Sequence, residues 1–183
     1  LFRNNTAVFQ QNKGEKSKEA ISMNISITQR EREILEDQKR HEEMCVQKYG
    51  NYANQAQDPE LKQMFQTYAG QEQEHLDTLN QMLNGTAPDM QQQGQQGQQN
   101  QQLQQQAQAG PNPMENAMAN QADEALCRDQ LMTEKYVSSS YNTAIFDFSD
   151  TNVRKVLNHI QKEEQENGEG LMNYMKKKGI YQS

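Results

Sequence analysis

The stretch Glu72-Gln73-Glu74-His75 returns later in the chain as Glu164-Gln165-Glu166-Asn167. The offset is 92 residues, and it extends well beyond these four positions. Asp37 falls on Asp129, Gln38 on Gln130, Glu42 on Glu134, Tyr49 on Tyr141 and Asp58 on Asp150, with no gap. Within each copy a second glutamate stands 30 residues upstream, Glu42 before Glu72 and Glu134 before Glu164. Residues three apart share one helix face. The stretch therefore asks whether Glu72 and His75 are metal ligands or two polar residues on a wet surface.

Punctuation around the two copies predicts helices. Thr28 with Glu31 is a capping box that opens a helix running to about Gln57. Asp58-Pro59 supplies an N-cap and a first-turn proline for a second helix, which Gly85 closes. A third helix is expected from near Asn120, with Asn112-Pro113 able to cap an earlier turn. Asp150 caps a fourth, and Gly179 ends it. No segment alternates as a strand does, so the fold class is all-α. A short turn makes each pair an antiparallel hairpin, and two hairpins joined by a long crossover make a four-helix bundle. The first hairpin spans 28–84 and the second 120–183, and together they form one bundle.

Spacings of three and four give each helix one inward stripe. The first reads Leu35, Gln38, Glu42, Cys45, Tyr49, Tyr52, and the second Leu61, Phe65, Tyr68, Glu72, His75, Leu79, Met82. The third reads Cys127, Gln130, Glu134, Val137, Tyr141, Ile145, Phe148, and the fourth Val153, Leu157, Ile160, Glu164, Asn167, Leu171, Tyr174. Every stripe carries one glutamate near its middle and none carries Lys or Arg. Burying unpaired ionised carboxylates is costly. Either the glutamates keep their protons, with tyrosines of the same stripes as hydrogen-bond partners, or a cation sits among them. One Glu per hairpin plus one Glu-x-x-His per hairpin is the di-iron carboxylate pattern. The candidate metal residues are Glu42, Glu72, His75, Glu134, Glu164 and Asn167, with Fe or Mn as the candidate ion. Asn167 stands where a second His would complete the pattern, and an amide oxygen is a weaker iron ligand than imidazole. The site is therefore degraded, or holds one metal well and a second poorly.

Between the hairpins, residues 91–108 contain 13 Gln, and Pro88, Gly110, Pro111 and Pro113 flank them. That composition cannot bury a core, and 85–119 reads as an unstructured linker and crossover. Residues 1–27 read as an unstructured extension. Lys18-Glu19-Ala20 can be encoded with a ribosome-binding sequence just ahead of Met23, which makes Met23 a candidate native start. The net charge is −7 and the sequence pI about 5.0, which argues against nucleic acid as partner. Mean hydropathy is −1.15, and no run approaches the roughly 18 apolar residues of a membrane span. No secretory signal pattern is read. The two cysteines, Cys45 and Cys127, allow one bridge at most and favour an intracellular origin; both lie on inward stripes and read as small buried hydrophobes. Met44, Met64, Met82, Met172 and Met175 read as core or core rim, Lys176–Lys178 as a solvated helix end. His41 and His159 have no partner set, and no catalytic residue set or phosphate-binding loop is read.

Tyr141-Asn-Thr-Ala-Ile-Phe, Asn152-Val-Arg and Leu157-Asn-His-Ile-Gln-Lys-Glu-Glu-Gln-Glu resemble the spore coat protein F (CotF-like) family, as do Met172-Asn-Tyr-Met-Lys and Gly179-Ile-Tyr. The likeness covers the second hairpin and reaches the first through the repeat. It implies a ferritin-like bundle and a structural rather than enzymatic role in a spore-forming bacterium. It further implies a place in the spore coat, after synthesis in the mother-cell cytoplasm. Members of the family commonly carry His where this chain has Asn167. Expected partners are other coat proteins or further copies of the chain, with no membrane. Abundant Gln, Lys176–Lys178 and seven Tyr suit covalent cross-linking. Two other readings stand beside the structural one. The first is a di-iron or di-manganese protein handling peroxide or oxygen. The second is an adaptor whose surface or Gln tract binds coat proteins.

Overall fold

A computed structural model describes residues 22–88 and 113–180, with side chains except at 113–120. The helices are α1 (Gln29–Gln55), α2 (Pro59–Leu83), α3 (Pro113–Ala144) and α4 (Thr151–Lys177). Local chemistry sets most of their ends. Thr28 accepts from the Glu31 amide while the Glu31 carboxylate accepts from the Thr28 amide at 2.7 Å, a complete capping box. Asp58 caps α2 ahead of Pro59, and Asp150 caps α4. Gly85 and Gly179 take φ of 86° and 71°, the left-handed conformation of a helix C′ residue. After α4 the Ile180 amide reaches Met175 O and the Gly179 amide reaches Lys176 O, which completes a Schellman motif.

Both hairpins are antiparallel, as expected. Arg32 near the start of α1 donates to Leu83 O at the end of α2, and Tyr52 packs on Phe65 at the opposite end. In the second hairpin Gln161 donates to Ser138 O, and Arg128 to Ile180 O. The interior has three storeys. One apolar cluster holds Leu35, Leu79, Val137, Tyr141, Leu157 and Ile160. The other holds Tyr49, Leu61, Phe65, Cys127, Leu171 and Tyr174. Full burial of one such aliphatic or aromatic side chain contributes about 1.5–3 kcal/mol. Between the two lies a layer of buried polar side chains. Cys45 belongs to the first cluster and Cys127 to the second, both as free thiols. Among the described residues no helix is long and apolar enough to cross a membrane.

Three expectations are corrected. Residues 22–27 are not an unstructured extension. Ser22–Asn24 forms β1, paired antiparallel with β2 (Thr86–Pro88) in the register Met23 opposite Ala87. The Ile25 amide donates to Gly85 O, and Ile25 and Ile27 pack against the first apolar cluster. For the same reason the linker does not begin at 85. It also does not extend to 119, because α3 starts at Pro113: proline suits the first helical turn, and Met, Glu and Ala after it are strong helix formers. Tyr52, Tyr68 and Ile145, placed on the inward stripes, are only half-buried. The Gln tract and residues 1–21 lie outside the described residues.

Candidate functional site

The middle storey is built from one or two residues of each helix. Glu42 comes from α1, Glu72 and His75 from α2, Glu134 from α3, Glu164 and Asn167 from α4. None is more than 4% exposed. Antiparallel packing brings the equal 30-residue spacings to one level, so the four carboxyls meet at the bundle axis.

His75 is the hub. Its Nδ1 lies 3.0 Å from Glu164 Oε1, 3.5 Å from Glu72 Oε2 and 3.6 Å from Glu42 Oε2. Its Nε2 meets Glu163 Oε2 at 2.9 Å. Three further hydrogen bonds cross between the hairpins, and one lies within α3. Tyr49 donates to Glu134 at 2.5 Å, and Tyr141 donates to Glu42. Asn167 donates its amide to Glu72 Oε1 at 3.0 Å, the counterpart of His75 beside Glu164. Gln130 adds a second hydrogen bond to Glu134 Oε1 at 3.0 Å.

Electrostatics separates the carboxyls. Burial raises Glu72, to about 8, with Glu42 and Glu134 adding like-charge repulsion against the pull of His75. Burial, then the Glu72 charge, raises Glu164 well above the usual range. Glu134 is raised by burial too. Burial also acts on Glu42, but hydrogen bonding and charge from His75 outweigh it and hold Glu42 low. Burial disfavours the His75 cation, yet Glu163, Glu164, Glu42 and Glu72 together hold its pKa far above the ordinary imidazole value. Without a metal the electrostatics favours a charged His75 facing Glu42 and Glu163, while burial pushes Glu72, Glu134 and Glu164 toward their protonated forms.

A metal ion passes the test of fit at part of this layer. Glu42, Glu72, His75 and Glu164 each offer a donor atom, and the four donors lie within 4.8 Å of one another. Apart from the approaches of His75 Nδ1 to the carboxylates at 3.0–3.6 Å, Glu42 Oε2, Glu72 Oε2, His75 Nδ1 and both Glu164 oxygens have no well-formed hydrogen bond, and Glu134 Oε2 is likewise unpartnered. Buried polar atoms normally find partners, so orphans gathered at one point are what a cation would satisfy. Three carboxylates and an imidazole suit divalent iron, manganese or zinc. Of the six candidate residues, Glu134 falls outside this donor group and Asn167 turns its NH2 toward Glu72.

Sequence reasoning missed Glu163. It lies off the inward stripe, yet reaches His75 Nε2 and also His159 Nε2 at 3.3 Å. The signal was the doublet Glu163-Glu164 beside an expected histidine level. A groove of about 440 Å³ between α3 and α4, lined by Ser138, Ser139, Asn142 and Gln161, has Glu134 and Glu164 in its wall. His41 stands apart, edge-on to Tyr136.

No curated protein and no solved structure shows significant similarity to the chain. Residues 122–183, most of α3 and all of α4, match the sequence model of the Coat F domain. The second hairpin is thus similar to the Coat F domain of spore coat protein F, and the match covers about a third of the chain.

Proposed function

We propose that this chain is a structural component of the spore coat that contributes to coat assembly. The Coat F domain carries this reading. A closed bundle whose interior is filled by side chains supports it, as do the large apolar side chains on its surface. Phe146 is 85% exposed, Met132 70% and Tyr136 60%, apolar side chains that contacts with other coat proteins would cover. The test is fractionation of spores from a strain with and without the gene. The protein is expected in the coat extract, and its deletion is expected to change which other proteins that extract contains. Recovery of the protein in the soluble core fraction alone overturns the reading.

The gathered orphan donors favour a second reading, in which the polar storey holds a divalent transition metal. Glu42, Glu72, His75 and Glu164 would hold it. There it would supply a cross-link between the hairpins and Lewis-acid or redox chemistry. The chain's own residues exclude water by the apolar clusters above and below, and Tyr141 and Glu163 orient Glu42 and His75. Elemental analysis of untagged protein beside Glu72→Ala tests this. Stoichiometric Fe or Mn that the variant loses supports a metal centre; protein that stays metal-free after anaerobic Fe(II) loading sinks it.

A further inference from the structure

We infer that this centre takes one divalent cation, held by Glu42, Glu72, His75 and Glu164, and not the pair that a carboxylate set drawn from four helices suggests. The inference rests on the second reading above and specifies its nuclearity.

Three observations carry it. First, the atoms offered by Glu42, Glu72, His75 and Glu164 lie within 4.8 Å of one another, and Glu134, although its Oε2 is also unpartnered, stands outside that group. Second, Glu134 has one oxygen doubly engaged, because its Oε1 accepts from both Tyr49 at 2.5 Å and Gln130 at 3.0 Å, which holds the carboxyl back from that point. The equivalent oxygen of Glu42 has only Tyr141 as donor, since Gln38 turns instead to Ser140 at 2.9 Å. Third, the position that would ligate a second ion is filled by a hydrogen-bond donor. Asn167 directs Nδ2 at Glu72 Oε1, which blocks a cation there and occupies that oxygen. An N–H donor repels a cation where an imidazole nitrogen would bind it. The layer's two halves share one skeleton, but only His75 can give up its proton and offer a ring nitrogen to a cation, which the Asn167 NH2 cannot do.

The experiment is an anaerobic titration of the full-length chain with Mn(II). Gel filtration and elemental analysis follow, with electron paramagnetic resonance on the same samples. One Mn per chain is expected, showing the hyperfine pattern of an isolated ion. Glu134→Gln is expected to keep that ion, and His75→Gln to weaken binding at least about tenfold. Two Mn per chain with an exchange-coupled spectrum would overturn the single-ion inference while leaving the metal reading intact. Loss of the ion in a folded Glu134→Gln would overturn the assignment of ligands. No bound Mn in the wild type would overturn the metal reading and the inference with it. If Glu134→Gln does not fold, the wild-type stoichiometry and spectrum decide.

Discussion

Tyr141 donates its buried hydroxyl to Glu42, a residue of the other hairpin, and Tyr49 returns the favour to Glu134 at 2.5 Å. Each hairpin thus holds the other's carboxyl through a tyrosine at the same offset. Tyr141→Phe removes the donor while keeping the ring, so Glu42 retains its burial and loses a partner. The expected cost is about 1–3 kcal/mol. Urea unfolding checks it: a variant as stable as the wild type would mean that the hydroxyl contributes no net hydrogen bond.

The stripes that placed these residues were legible because helix periodicity alone puts Glu42, Glu72, Glu134 and Glu164 inward, and the N-caps were legible because Thr28, Asp58 and Asp150 act within three residues of themselves. What was not legible depends on distance in the chain or on side-chain reach. The β1–β2 pair is three residues long on each side, too short to show alternation. Glu163 enters the layer only because it reaches His75 from beside the stripe. The stripes carry no Lys or Arg, and their charge balance could not show that His75 is drawn toward its cation by the four glutamates around it.

Glu31 and Asp123 show the crosswise logic at the bundle's ends. Glu31 accepts from the Ser149 amide at 2.9 Å, and Asp123 accepts from the amides of Gln57 and Asp58 at 3.0 and 2.9 Å. Each acid therefore satisfies the interhelix turn of the opposite hairpin. Burial pushes the Glu31 pKa up, but the Thr28 and Ser149 amides and hydroxyls outweigh it and hold the group below its ordinary value. A lowered folded pKa means that the unfolded chain binds the proton more readily. This stabilisation is present above the ordinary glutamate range and is lost as pH falls through the folded value. Glu31→Gln is expected to cost about 1.5–3 kcal/mol at neutral pH and to flatten the fall in stability on acidification. An unchanged acid limb in urea midpoints against pH would remove Glu31 from that role.

Ala87 tests whether the small sheet is part of the core. It is fully buried in the first apolar cluster, opposite Met23, and β2 lies against α2 and α4. Ala87→Asp places an unpaired carboxyl there, with an expected loss of more than about 3 kcal/mol. Gln73→Asp, at an exposed position, loses the hydrogen bond to Asp77 and sets a like charge beside it, and is expected to cost no more than about 1 kcal/mol. Equal, small effects at both positions would show that the sheet detaches without cost to the bundle.

Gly170 faces Tyr68 across α2 and α4. A Cβ at position 170 would stand 1.9 Å from the Tyr68 hydroxyl oxygen and 3.1 Å from the ring carbon that bears it. Two effects then oppose each other in Gly170→Ala. Alanine is the better helix former by about 0.8–1 kcal/mol, while overpacking against a ring costs about 1–3 kcal/mol. With Tyr68 present the clash wins and the substitution destabilises. In a Tyr68→Ala background the clash is gone and only the helix preference is left, so the same substitution stabilises by about 0.5–1 kcal/mol. A double-mutant cycle read by urea unfolding gives the sign in each background. Reversal of sign assigns glycine at 170 to the room Tyr68 needs; a stabilising effect in both backgrounds would show that Tyr68 moves aside freely and that the contact does not fix the packing of α2 on α4.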